Sequence, residues 1–299
     1  RRAGIILPIM IMSPEEHSLD TIIQHNLEPE IYNFRILDML ERAIRRNILP
    51  SNKPVKIHIK LETGMHRLGF DAENIPQLAK RIKDNKRLYI QSVFSHLAAS
   101  NEPESDDFTR GQIERFKTMS DEFCGHFEHP VNRHIANSAG INRFPEAHFD
   151  MVRLGISLYG VASNPEDEEN LQNVGTLRST ITQIKKVKAG ERIGYGSTIT
   201  EEDLKIGVIP VGYADGLDRR LGNGAGYLIV NGYQVPIVGN ICMDMCMVDL
   251  SEVKAREGDQ VIIFGDGKPV SEMARELGTI PYEVLTSIAG RVKRVYFQE

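Results

Sequence analysis

The sequence predicts two unlike parts in one chain, an α/β part built on a parallel sheet and then a mostly β part. Three observations predict it. Extended apolar segments alternate with helical patterns through the first half of the 299 residues. An acidic, turn-rich stretch, Asn164-Pro165-Glu166-Asp167-Glu168-Glu169, then interrupts the chain. Beyond it come short strands and turns with one convincing helix. Strand–helix alternation implies parallel neighbours covered by helices, because parallel strands need a crossover between them. The boundary is placed at the acidic stretch, giving domains at 1–168 and 169–299.

Taken in order, the extended segments cover residues 6–12, 28–33, 55–62, 88–96, 133–139 and 151–160. Ser13-Pro14-Glu15-Glu16 offers an N-cap, a first-turn proline and acids for a helix start. Residues 34–47 carry Ile36, Met39, Leu40 and Ile44 at helical spacing and end in Arg45-Arg46, which suits the negative end of a helix dipole. Residues 76–82 and 108–127 read likewise as helices. In the second part, 177–187 alternates as a strand and turns at Ala189-Gly190. Segments 227–230 and 233–238 flank Asn231-Gly232, a pair that supplies the positive φ angles of a tight hairpin. Residues 261–264 form a short buried strand, and 271–277 a short helix ended by Gly278.

Composition narrows the function. A net charge of −5 and a pI near 6.0 argue against nucleic-acid binding. No apolar run reaches membrane-spanning length, and three cysteines fit a reducing cytoplasm better than a disulfide framework. Cys242 and Cys246 lie four apart, yet no second pair of zinc ligands has matching spacing, so no metal is expected. On a strand, Cys242, Asp244 and Cys246 would share one face. The polar residues that invite chemistry stand at strand ends: His96, then Asn137 with Ser138, then Arg153 with Gly155 and Ile156. A lone strand-end histidine is ordinarily a satisfied polar residue; several converging ends in one sheet are a candidate site.

Seven stretches in order, LETGMHRLGF, SHLAAS, IANSAG, RLGISLYG, GYGSTIT, VGYADGLDRRLG and VGNICMDMCMVDLS, resemble the alanine racemases, pyridoxal-phosphate enzymes. The resemblance implies a (β/α)₈ TIM-type barrel followed by a mostly β C-terminal domain. Such a barrel takes roughly 250 residues, about 30 per unit. Six units are counted here, so the barrel is expected to lack its first two βα units, some ~60 residues on that arithmetic. An open doubly wound sheet is the rival. The resemblance also implies pyridoxal 5'-phosphate as cofactor and a cytoplasmic homodimer with shared active sites. The reaction implied is L-/D-alanine interconversion for peptidoglycan synthesis.

Residue roles follow the same resemblance. Arg153 is similar to the arginine that bonds the cofactor's pyridine nitrogen, with His96 orienting it. Asn137, Ser138 and the backbone of Gly155 and Ile156 belong to the cofactor site, the last three as a phosphate cradle. Arg67 matches an arginine near the substrate, and Lys60 a position that is carbamylated in many members, where the carbamate pairs with that arginine. Tyr213 resembles a tyrosine at the mouth of the substrate channel, and Met243 a backbone contact to substrate across the dimer. Racemisation removes a proton from one face of the α-carbon and returns one to the other, so it needs two bases. Tyr195, in Gly194-Tyr195-Gly196, matches the second base, reaching in from the partner subunit.

The match breaks at two points. The family's cofactor lysine stands in a Val-Lys-Ala-x-Ala-Tyr-Gly segment that has no counterpart here. The 299 residues are therefore expected not to supply the covalent cofactor link. Gly290 stands where some members have a phosphate-binding tyrosine before Arg-Val. The alternatives are a racemase of another small amino acid such as serine, a related decarboxylase, or a non-catalytic pyridoxal-phosphate-binding protein.

Overall fold

The computed structural model describes residues 1–47, 53–162, 170–196 and 198–297. It divides into two compact units, Arg1–Gly155 and Ile156–Glu299. The acidic stretch chosen as the domain boundary lies outside the described residues.

The first unit holds five parallel strands, β1 (Met10–Ile11), β2 (Glu28–Ile31), β3 (Val55–Lys60), β4 (Leu88–Phe94) and β5 (Asn132–His134), adjacent in chain order. A doubly wound sheet reverses its strand order at a switch point. The order 1-2-3-4-5 contains no reversal, which removes that rival. Helices α1 (Leu19–Gln24), α2 (Phe34–Arg46), α3 (Ile75–Lys83) and α4 (Asp106–Cys124) fill the four crossovers. Helix α2 starts where the Asn33 side chain accepts the Ile36 N–H at 2.9 Å, and it buries Ile36, Leu37, Met39, Leu40, Ala43 and Ile44.

Two sequence expectations change here. Residues 151–160 form no strand: 156–159 are a 3₁₀ turn and 151–155 are coil. Asp150 and Arg153 donate backbone bonds to the carbonyls of Arg133 and Ala136. Those bonds are three residues apart on both segments, out of phase with the two-residue step of a ladder. The helix read from Ser13-Pro14 also begins later, as a 3₁₀ turn Glu16–Ser18 leading into α1. Ser13 sits at φ 47° and gives its N–H to the Glu30 carboxylate, so it ties the chain to β2 and caps nothing.

The sheet has two chemically opposite faces. Ile31, Ile57, Ile59, Ile90 and Val93 pack with the helices into one apolar core. Glu28 and Glu30, His58 and Lys60, and His134 alternate with them, a bulge between Ile90 and Ser92 turns Ser92 to that same second face, and all are buried. Side chains two residues apart share a face, so the second face is a polar one shielded from solvent.

The second unit is a seven-stranded antiparallel sheet in the order β6-β14-β11-β12-β13-β10-β7. Its edges are β6 (Leu177–Thr180) and β7 (Gln183–Val187), two consecutive strands in the run read as one from sequence. Ile181 bonds toward β14's side and Thr182 toward β10, so the chain passes directly from one edge of the sheet to the other. The sheet must therefore curl on itself, which removes most of its open edge. The hairpin of β11 (Tyr227–Val230) and β12 (Tyr233–Val238) turns at Asn231 (φ 50°) and Gly232 (φ 84°). Strands β10 (Leu204–Ile209), β13 (Cys246–Asp249) and β14 (Gln260–Phe264) complete the sheet. The short pair β8 (Arg192–Ile193) and β9 (Thr198–Ile199) stands apart. Helix α6 (Val270–Glu276) falls where the sequence places one, and α7 (Pro281–Ser287), missed from sequence, opens on Pro281.

Candidate active site

In the first unit the strand-end residues converge on Arg153. Its Nη1 donates to Nδ1 of His134 at 2.6 Å and to the His134 carbonyl at 3.3 Å, and its Nη2 to the Ser95 carbonyl at 2.7 Å, the Ile135 carbonyl at 3.1 Å and Nδ1 of His96 at 3.2 Å. Arginine can only donate. Both histidines therefore accept at Nδ1 and carry their proton at Nε2. Burial, with Arg153 adding to it, pulls His134 down to about 3 and His96 to about 4. Neutral rings are what this geometry requires. Burial lowers Arg153 itself to about 10, with Glu30 opposing, so the guanidinium stays charged at neutral pH.

The donor logic extends across the polar face. His134 Nε2–H donates to Ser92 Oγ at 2.9 Å, Ser92 O–H to His58 Nδ1 at 2.6 Å, and His58 Nε2–H to the Glu28 carboxylate at 3.0 Å. Burial lowers His58 as well, against the opposing pull of Glu28. Every link points the same way, from cation to anion, across four neighbouring strands and the segment after them. Phe94 forms the floor: its ring stacks on His134, with Arg153 and Lys60 over it at 5.4 and 5.5 Å. Sequence reading picked out Arg153 and His96 and missed His134, His58, Ser92, Glu28 and Glu30. The available signal was the two-residue spacing Glu28-Pro29-Glu30 against His58-Ile59-Lys60, which sets two acids and two bases on one face of adjacent strands.

Other predicted residues take mixed positions. Ser138 Oγ accepts the Gly155 N–H at 2.9 Å, which brings two of the cradle residues together. Asn137 caps the short helix α5 (Ser138–Arg143): its Oδ1 accepts from Gly140 N–H and Ser100 O–H, and its Nδ2 donates to Leu97 O. Its polar atoms serve the loop. Ile156 opens the second unit, and its N–H is directed at the Tyr282 hydroxyl, a residue not singled out from sequence. Lys60 is buried and pairs with Glu30 at 3.2 Å, while Arg67 is exposed.

The second unit gathers its own group. Tyr195, Tyr213, Arg219, Ile241, Cys242, Met243 and Asp244 line an open cavity of about 360 Å³. The Tyr195 ring is 72% exposed there. Gly194 (φ 62°) and Gly196 (φ 84°) flank it, and a Cβ on Gly196 would meet Asn240 Nδ2 at 2.3 Å. That amide nitrogen donates to the Tyr195 carbonyl at 2.7 Å, and its partner oxygen accepts from Asn223 at 3.0 Å. The glycines thus let Asn240 clamp the backbone while the ring projects. The 242–245 segment is a turn closed by Cys242 N–H to Met245 O, not a strand, so the shared face read for Cys242, Asp244 and Cys246 does not form. Ala214 N–H donates to the Met243 carbonyl, and Tyr213 N–H donates to the Cys242 carbonyl. Gly290 is exposed with open space around it. Among the described residues no cluster of histidine, cysteine or acidic side chains could hold a metal, and no helix is long and apolar enough to cross a membrane.

A chain-ordered parallel sheet with a charged, shielded inner face, joined to a curled β unit, defines an α/β-barrel class of protein with chemistry at its strand ends. Two family models match: "Alanine racemase, N-terminal domain" over residues 1–163 and "Alanine racemase, C-terminal domain" over 174–296. The chain belongs to the alanine racemase family. Similar curated proteins include alanine racemase 1 of Clostridium acetobutylicum, 37% identical over 100% of this chain and 78% of that one, and the alanine racemase of Thermodesulfovibrio yellowstonii, 39% identical over 100% and 79%. Similar solved structures include the alanine racemase of Streptomyces lavendulae (TM-score 0.91, 31% identity, covering 100% of this chain and 80% of that one). Another is that of Bartonella henselae with covalently bound pyridoxal phosphate (TM-score 0.86, 28% identity, covering 99% and 81%).

Proposed function

We propose that this protein is an alanine racemase, interconverting L- and D-alanine with pyridoxal 5'-phosphate as cofactor. The observation that carries the reading is the Arg153 guanidinium, fixed at the strand ends by two neutral histidines and three carbonyls. The residues fit the cofactor. Both terminal nitrogens of Arg153 are engaged by protein acceptors, which leaves Nε for the ring nitrogen of a ligand. Ser138 and Gly155 lie together beside it for the phosphate, with Ile156 next along the chain.

When bound, the cofactor supplies the electron sink that acidifies the α-C–H bond. The protein's part is to hold protons in place. Arg153, still cationic at neutral pH, donates to the ring nitrogen and disfavours a proton there. Tyr195 serves as one of two bases at the α-carbon. Tyr213 and Met243 line the same cavity as Tyr195 and would contact a small amino-acid substrate there. The second base, the cofactor lysine, is proposed to lie outside these 299 residues, since none of the lysines here stands in the family segment. We further propose the 1–168 and 169–299 domain division, a cytoplasmic homodimer, and the peptidoglycan precursor role.

The test is α-hydrogen exchange in deuterium oxide on the cofactor-loaded protein. Both enantiomers of alanine should exchange and racemise. Tyr195→Phe should lose ~10²–10⁴-fold in racemisation while exchange survives with one enantiomer only. Bound cofactor without exchange from either enantiomer would leave a binding protein; faster turnover of serine than of alanine would shift the substrate.

A further inference from the structure

Tyr213 reaches the cavity of the second unit from a turn with its side chain 46% exposed, so packing alone does not fix the ring. Its place is set by the backbone of residues 212–217, and that backbone is held on two sides. On one side the Tyr213 and Ala214 N–H groups bond the Cys242 and Met243 carbonyls. On the other lies the end of α7 and the residues after it. Ala289 N–H donates to the Asp215 carbonyl at 3.1 Å, and a Cβ on Gly216 (φ 108°) would meet Ser287 O at 2.7 Å. The Asp215 side chain joins the two: one carboxylate oxygen accepts the Gly212 N–H at 3.0 Å, the other Arg291 Nε–H at 2.7 Å. Burial would raise that carboxyl, but the bonds from Arg291 and Gly212 outweigh it and hold it below its usual range. The Asp215 bond stabilises the Arg291 cation, and the charge of Asp244, another residue of the cavity wall, acts in the same direction.

We propose that Arg291 is a positioning residue for substrate binding: through the Asp215 carboxylate it locks the 212–217 turn, and with it the Tyr213 ring, at the geometry a small amino acid needs. Residues 213–215 are a single 3₁₀ turn, whose own hydrogen bonds are poorly aligned, so closure from outside matters. The clasp is local. The Arg291 side chain is 52% exposed and that of Asp215 15%, and ion pairs so near solvent add little to the stability of a whole domain. Loss of the clasp therefore loosens the turn without unfolding the sheet behind it. The inference rests on the racemase reading for the identity of the substrate, but the order of the turn is measurable in the unloaded protein.

The chain contains no tryptophan, so Tyr213→Trp places a single fluorophore in the turn. Adding Arg291→Ala should lower the anisotropy of that indole and raise its quenching by acrylamide. Guanidinium chloride, far below denaturing concentrations, should reverse both changes, because the half-exposed site is open to a free guanidinium; sodium chloride should not. In the chain that retains Tyr213, Arg291→Ala should raise KM for alanine ~3–10-fold, the weight of one ordinary hydrogen bond, and leave kcat nearly unchanged, the pattern of lost ground-state binding. Arg256→Ala removes another exposed ion pair of the same unit, to Asp259, and should change none of these readouts. Asp215→Asn, which can accept from only one of the two donors, should loosen the indole without responding to guanidinium, and it decides the matter if Arg291→Ala does not fold. An indole equally ordered with and without the clasp overturns the proposal, as does an equal effect from Arg256→Ala. If no racemisation is found, the functional reading fails and the fluorescence alone decides.

Discussion

His134 shows how a single buried ring can tie stability to pH. It is 0% exposed, accepts from Arg153 and donates to Ser92, and can take a second proton only by breaking the first of these bonds. Its folded pKa, about 3, lies below the unfolded value near 6.5. The unfolded chain therefore binds more protons between those values, and stability rises with pH across that window. The contribution is complete above about 6.5 and is lost as pH falls toward 3; by pH 5 the loss is on the order of 2 kcal/mol. Urea unfolding at pH 7.5 and pH 5 should show the decrease, and His134→Gln should lessen it, the remainder coming from His96 and His58, which burial depresses in the same direction. At the same scale, Arg153→Lys keeps the charge but loses the fork that reaches the His134 and His96 rings and three carbonyls. Cofactor binding should weaken and the absorbance of the bound cofactor should shift, while the protein stays folded.

At the scale of elements, Gly212 decides whether the turn carrying Met243 stays where it is. Its φ of −141° is open to any residue, so the constraint is space: a Cβ would meet Cys242 O at 2.3 Å and Asp244 N at 2.5 Å. Gly212→Ala should displace residues 242–244, lower kcat/KM for alanine by ~10–100-fold as a misplacement of about 1 Å does, and leave the hairpin intact. Gly232→Ala is the control, with open space around it but φ 84°; it should cost about 1–2 kcal/mol of stability without touching activity. The sequence revealed these elements unevenly. Asn231-Gly232 was legible because turn chemistry is local, and α2 because its apolar spacing and its cap are. The network from Arg153 to Glu28 was not, because it joins residues up to 125 apart whose pairing depends on register; only the Glu-x-Glu and His-x-Lys spacing hinted at it. Residues 151–155 read as a strand because they are apolar and follow a βα unit, yet their hydrogen bonds are set by where Arg153 must point.

For the whole molecule, the decisive feature is that each unit owns a core. Phe116, Phe123, Leu37 and Ile59 lie in the first; Leu228, Val248, Ile237 and Ile263 lie in the second. Hydrophobic stabilisation is set by apolar area removed from water, and it acts on whichever cooperative unit contains that area. Phe116→Ala, at a fully buried position on α4, should therefore cost about 3–5 kcal/mol in the first unit. Leu228→Ala should cost about 2–5 kcal/mol in the second. Native-state hydrogen exchange followed by mass spectrometry reads the two separately. Phe116→Ala should speed exchange in β2 to β5 and leave β10 to β14 protected, with the reverse for Leu228→Ala. Equal loss of protection in both units from either substitution would mean that they unfold as one, and that the polar face around Arg153 owes its rigidity to more than the helices that cover its sheet.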